Sequence, residues 1–221
     1  MLAIAPAPIA SLPAFYAVAF HQAELAVRHY GAAAQLARDS DATDSEATAS
    51  VFEDLAAREA ARRDAITAAC VAACGAPPDL KNLPPTFADV VPAQEVDDVA
   101  RSGLATPYAV WALAVLHRRR AFIYWTYVAA LAGNPAVSAA AERLAREALS
   151  DGNDLRRSRR LAWQAEHQAA TEDRQSDRHG DRGASAALLE SLLRRDILAW
   201  SQTLPPAEGR QLLPVGVPGF S

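Results

Sequence analysis

The chain has 221 residues and a mass of 23.5 kDa, with 22 Lys and Arg against 26 Asp and Glu and a formal net charge of −4. That balance argues against a protein whose main work is neutralising nucleic-acid phosphates, and no apolar run reaches the length of a membrane span. The length suits one domain, or one with an appendage, able to bury a sizeable core without staples.

Two cysteines, Cys70 and Cys74, are too few for a disulfide framework and fit a reducing compartment. The apolar opening MLAIAPAPIASLP lacks a positive n-region and is broken by prolines, so it does not read as a signal peptide; the expected address is cytoplasmic. Only 7% of residues are aromatic, Lys81 is the only lysine, and alanine and arginine dominate. Both favour helix, and period-two β-branched runs are absent, so the chain is expected to be all-α.

The first helix should open near Pro13, a residue suited to the first helical turn, and run to Arg38. A polar segment follows, in which Thr43-Asp44-Ser45-Glu46 has the form of a capping box, and a second helix should end at Cys74 before Gly75 and Pro77-Pro78. The proline-rich stretch to Thr106-Pro107 is long for a connection inside a compact domain. A third helix is expected over 107–132, with Gly133-Asn134-Pro135 ending it and opening a fourth, to about Ala170. The implied layout is an N-terminal arm (1–12), a four-helix bundle (13–170), a polar linker (171–184), a short amphipathic helix (185–204) and an extended Pro/Gly tail (205–221). Two tight hairpins joined by one long crossover is the connectivity of ferritin-like bundles.

The stretches ELAVRHYGAAAQLA, VFEDLAAREAARRDAI, TPYAVWALAVLHRRRAFIYWTYVAA and AERLAREALSDGNDLRRSRRLAW resemble the four core helices of rubrerythrin-like members of the ferritin-like superfamily. Tyr30 and Tyr124 occupy similar places in the two hairpins. The resemblance implies a site for two iron or manganese ions, held by one glutamate from each of two helices and a Glu-x-x-His pair from each of the others. Carried onto this sequence, the single-glutamate positions hold Ala23 and His117. The Glu-x-x-His positions hold Glu59 with Arg62, and Ala148 with Asp151. Of the six ligand types, only Glu59 is kept.

Helical angles of about 100° per residue test that register. Phe15, Ala19, Ala26, Tyr30 and Ala33 define the inward stripe of the first helix, which leaves Glu24 facing water. Leu55, Ile66 and Ala73 define the second, with Glu59 and Arg62 near its centre; Leu113, Tyr124 and Leu131 define the third, with His117 and Arg120 on it. Leu144, Leu155 and Ala162 define the fourth, placing Ala148 and Asp151 inside and Glu147 near the edge. Arginine keeps its proton and has no lone pair to offer a cation, so Arg62 is expected to stand in for the metal charge, pairing with Glu59 or Asp151. The resulting layer is a buried charge cluster of Glu59, Arg62, His117, Arg120 and Asp151, with no catalytic residue and no cofactor. The alternative is a remodelled iron or manganese site on Glu59, His117, Asp151 and Glu147. A small apolar ligand where Ala23 and Ala148 leave space is a third reading.

Cys70 and Cys74, one turn apart, read as small core residues, and Tyr30, Tyr124, Trp125 and Tyr127 as core packing. The runs Arg118 to Arg120 and Arg156 to Arg160 read as solvated or paired faces, so no nucleic-acid or membrane partner is expected. The functional expectation is a non-catalytic pseudo-diiron protein acting as a binding or assembly subunit. Its partner would be a second helical bundle, a copy of itself or a related chain, with the C-terminal helix and tail as possible docking elements. The alternative is an iron-handling, oxidase or peroxidase enzyme with an unusual metal centre.

Overall fold

The computed structural model describes residues 8–40, 42–85 and 87–176, with side chains described to residue 168. Helix α1 spans Leu12–Arg38, α2 Ser45–Cys74, α3 Ala93–Arg101, α4 Pro107–Leu131 and α5 Pro135–Ser176, and no strand occurs among the described residues. Residues 8–101 and 105–163 form one packed unit, an all-α bundle; residues 102–104 and the end of α5 from residue 164 belong to a second. No helix among the described residues is long and apolar enough to cross a membrane.

The helix ends follow from local chemistry. Ser11 caps α1 by accepting the Ala14 N–H at 3.4 Å, and Thr106 does the same for Ala109 of α4 at 3.3 Å, each followed by a proline in the first turn. Gly75 ends α2 in the left-handed region (φ 77°), where a side chain would be strained, and donates its N–H to the Val71 carbonyl at 2.9 Å. The expected capping box does not form: Asp44 is the N-cap and makes no side-chain cap bond, while Glu46 turns to Arg38 at 3.6 Å.

Apolar burial joins the helices. Phe15, Ala19, Ala26, Tyr30 and Ala33 of α1 are all buried, against Phe52, Leu55 and Ile66 of α2 and Ala114, Ala121, Tyr124 and Trp125 of α4. Alanine at so many of these positions lets the backbones approach closely. Two positions of the expected stripes fall outside the core: Ala73 and Leu131 are exposed, because both stand at the ends of their helices.

The proline-rich crossover is largely packed structure. A 3-10 turn at Leu80–Asn82 precedes Val90 and Val91, both buried, and α3 then buries Val96 and Ala100. Its backbone is tied to α1 by Gln22, which donates to the Ala88 carbonyl at 2.9 Å, and by His29, 2.7 Å from the Val91 carbonyl. This helix was not expected from the sequence. At the other end α5 continues past Ala170 to Ser176, so the first residues of the expected 171–184 linker are helical. Ile9, in the expected arm, is buried. The expected helix over 185–204 and the tail over 205–221 lie outside the described residues.

Candidate functional site

At mid-bundle α2 presents Glu59 and Arg62 one turn apart, facing Arg118 on α4 and Glu147 and Asp151 on α5. All three guanidinium nitrogens of Arg62 face a carboxylate: Nε donates to Glu147 at 3.0 Å, Nη2 donates to Asp151, and Nη1 lies 2.7 Å from Glu59 Oε2, an ion pair without hydrogen-bond alignment. The other oxygen of Glu59 meets Nη2 of Arg118 at 2.8 Å, and Nη1 of Arg118 lies 4.0 Å from Asp151. Each oxygen of a nearly fully buried carboxylate therefore has its own arginine.

Burial alone would raise the Glu59 pKa, but Arg118 and then Arg62 pull it below the usual carboxylate range. Burial would weaken the Arg62 cation, and Glu59 with Asp151 reverses that, holding the guanidinium more firmly protonated than usual.

The two remaining members of the expected cluster stand in a separate group. His117 is wholly buried, with Nδ1 2.8 Å from the Tyr30 hydroxyl and Nε2 3.4 Å from Glu95 on α3. Arg120 grips Glu95 with both terminal nitrogens, at 2.5 and 2.8 Å. Burial, followed by Arg120, pushes His117 down to about 4, so the ring is neutral at pH 7. Nε2 makes no hydrogen bond, but a lone pair facing the Glu95 carboxylate would be repelled, so the neutral ring carries its proton on Nε2 and accepts the Tyr30 hydroxyl proton in a hydrogen bond at Nδ1. Burial, then Glu59, pushes the Tyr30 phenol up.

The sequence reading missed Arg118 and Glu95. Arg118 lies in a basic run that reads as a solvated or paired face, yet it continues the spacing of Trp111, Ala114, Ala121, Trp125 and Val128, all buried. That heptad-like series is one of two stripes that α4 offers, the other running through His117 and Tyr124. Glu95 had no signal beyond its place on the amphipathic α3, since its partners are distant in sequence.

The residues do not fit a dinuclear iron or manganese centre. Ala23 and Ala148 offer no donor atom, His117 Nδ1 is taken by the Tyr30 hydroxyl and Nε2, which has no hydrogen-bond partner, faces Glu95 rather than the cluster, and the carboxylates Glu59, Glu147 and Asp151 converge on a guanidinium. Of the alternative set, Glu59, Glu147 and Asp151 meet at Arg62, whereas His117 stands apart with Tyr30 and Glu95, and among the described residues no group of three or more His, Cys, Asp or Glu is arranged to hold an ion. Between Ala23 and Ala148 lies a cavity of about 20 Å³, walled also by Gln22, Glu59, Arg62 and Arg118. It is the size of one water molecule, which overturns the expectation of an apolar ligand there. The Cys70 thiol is pushed up to about 11 by burial and then by Cys74, so it is not a nucleophile at neutral pH.

A larger pocket of about 330 Å³ opens on the other side of the same charged wall, between α2, α4 and α5. Leu55, Ala114 and Leu155 supply apolar surface, and Arg58, 5.9 Å over the Trp111 ring, stands beside it. Comparison with family models, with curated proteins and with solved structures finds no match for this chain.

Proposed function

We propose that the protein is a non-catalytic, ferritin-like bundle whose dinuclear metal site has been replaced by a buried salt-bridge cluster, and that it serves as a binding or assembly subunit. The observation that carries this reading is Arg62, a permanent cation whose three nitrogens meet Glu59, Glu147 and Asp151 at the level where metal ions would lodge. A guanidinium cannot give up its proton to make room for an ion, and a dication beside it would meet repulsion that an interior screens poorly. The carboxylates are paired with arginines, and the imidazole is neutral, with Nδ1 bonded to Tyr30 and Nε2 facing Glu95. The bundle's partner, on this reading, is a second helical bundle, either another copy or a related chain.

Protein purified without chelator tests this. It should carry no stoichiometric iron or manganese, show no iron–oxo absorption band on adding ferrous iron and oxygen, and travel as a complex larger than 23.5 kDa in a native mass measurement. Stoichiometric metal with oxidase or peroxidase turnover would overturn the proposal in favour of an enzyme with an unusual centre.

A further inference from the structure

The pocket of about 330 Å³ has more than twice the volume of the roughly 150 Å³ cavity that admits benzene in another protein. It lies at the lower end of the range of small-molecule sites. Its lining divides in two. Leu55, Ala114 and Leu155 give a ligand an apolar seat, while Glu59, Arg62, Arg118, Glu147 and Asp151 form a polar wall whose charges are already paired with one another.

Arg58 differs from every other charged lining residue. It is exposed, has no carboxylate within ion-pair distance among the described residues, and rests over Trp111, which stiffens the side chain without neutralising it. A guanidinium beside an apolar concavity matches a carboxylate carried on a compact hydrocarbon body. An amine would meet carboxylates whose charge already balances Arg62 and Arg118. A polyphosphate would meet a single free cation on a largely apolar surface.

We propose that this pocket binds a small amphipathic monoanion, an aromatic or branched aliphatic carboxylate, with its carboxylate on Arg58 and its body against Leu55, Ala114 and Leu155. The inference rests on the reading of the protein as a binding subunit and names the class of ligand it takes.

Calorimetric titration of the full chain with benzoate, benzamide and benzylamine tests it. Benzoate should bind at one site and more tightly than either neutral benzamide or cationic benzylamine. Arg58→Gln should weaken benzoate about tenfold and leave benzamide unchanged, since the position is exposed and the fold does not depend on it. Ala61→Phe, also at an exposed lining position, should fill the space and weaken both. Absence of saturable benzoate binding, equal binding of benzylamine, or insensitivity to Arg58→Gln would each overturn the inference. Iron and manganese are measured on the same samples. Metal-free protein that ignores benzoate defeats only the ligand assignment, whereas stoichiometric metal defeats the reading beneath it.

Discussion

Arg62→Ala removes the guanidinium that three carboxylates share, and they lose it unequally. Glu59, with 7% of its side chain exposed, keeps only Arg118 at 2.8 Å; Asp151 keeps the same arginine at 4.0 Å; Glu147, nearly half exposed, regains water. Removing one partner of a buried pair costs about 3–5 kcal/mol because the other charge stays behind. Since Glu59 retains one cation and Glu147 is resolvated, the expected loss lies at the lower end, about 3 kcal/mol. For a protein of this size that is a fall in Tm of about 6–12 °C.

Urea unfolding followed by circular dichroism at pH 7 measures the loss, repeated in 1 M salt, where the Debye length falls to about 3 Å. A buried interaction survives that screening. Arg62→Lys should recover only part of the stability, because one ammonium cannot meet three carboxylates in the directions that a planar fork does. The pH dependence has a definite sign. Glu59 lies below the usual carboxylate range when folded, so its contribution is present above the unfolded pKa and is lost as pH falls through the folded one. Without Arg62 that depression shrinks, and acid unfolding should begin at higher pH than in the parent. An Arg62→Ala protein within about 1 kcal/mol of the parent, or one whose deficit disappears in 1 M salt, would show a solvated guanidinium and refute the reasoning.

Tyr30→Phe removes the hydroxyl that donates to His117 and leaves a buried nitrogen acceptor unpaired; it should cost about 1–3 kcal/mol in the same unfolding assay. Because His117 is pushed down to about 4 from 6.5, the unfolded chain binds a proton there that the folded one refuses. Stability should therefore rise with pH between about 4 and 6.5, and a pH series on His117→Asn should show that slope reduced. Glu95→Gln breaks the two-pronged contact with Arg120 at a partly exposed site, where the loss should be about 1 kcal/mol or less. Its clearer signature is faster amide hydrogen exchange across Ala93–Arg101, measured by mass spectrometry.

How far the sequence reveals the site depends on how one-sided each helix is. On α1 the stripe through Phe15, Ala26 and Tyr30 could be placed inside, but Glu24, expected to face water, is half-buried and meets Arg63 at 3.1 Å, and Tyr16, Ala17 and Val18 are buried beside Phe15, so more than one face of α1 is covered. On α4 the apolar residues run nearly all the way round. His117 and Arg118 are both buried although about 100° apart, and periodicity alone cannot choose between the stripe through Tyr124 and the one through Trp111 and Trp125. Arg118 went unrecognised for that reason. Arg120 could be placed near the interior, but nothing local tells an arginine whether its carboxylate lies on the next helix or on a crossover 25 residues back. The helix α3 carried a readable signal, with Val96 and Ala100 one turn apart amid Glu95, Asp97, Asp98 and Arg101, but its nine residues were obscured by the prolines before it.

The second arginine changes what the cluster means. If Arg62 alone stood in for a metal, its loss would leave Glu59 free to ligate; Arg118, drawn from a different helix, holds the other oxygen of the same carboxylate. Three carboxylates and two guanidinium groups leave a net charge of −1, carried nearest the exposed Glu147. An incoming dication about 4 Å from either guanidinium would meet a repulsion of about 8 kcal/mol at an effective dielectric of 20, twice that of two unit charges at that separation. Both arginines rise from helix faces that also carry core residues, Leu55 and Ile66 on α2 and Ala114 and Ala121 on α4. The charges thus join α2, α4 and α5 at one level, with both oxygens of Glu59 and one oxygen each of Glu147 and Asp151 held by arginine.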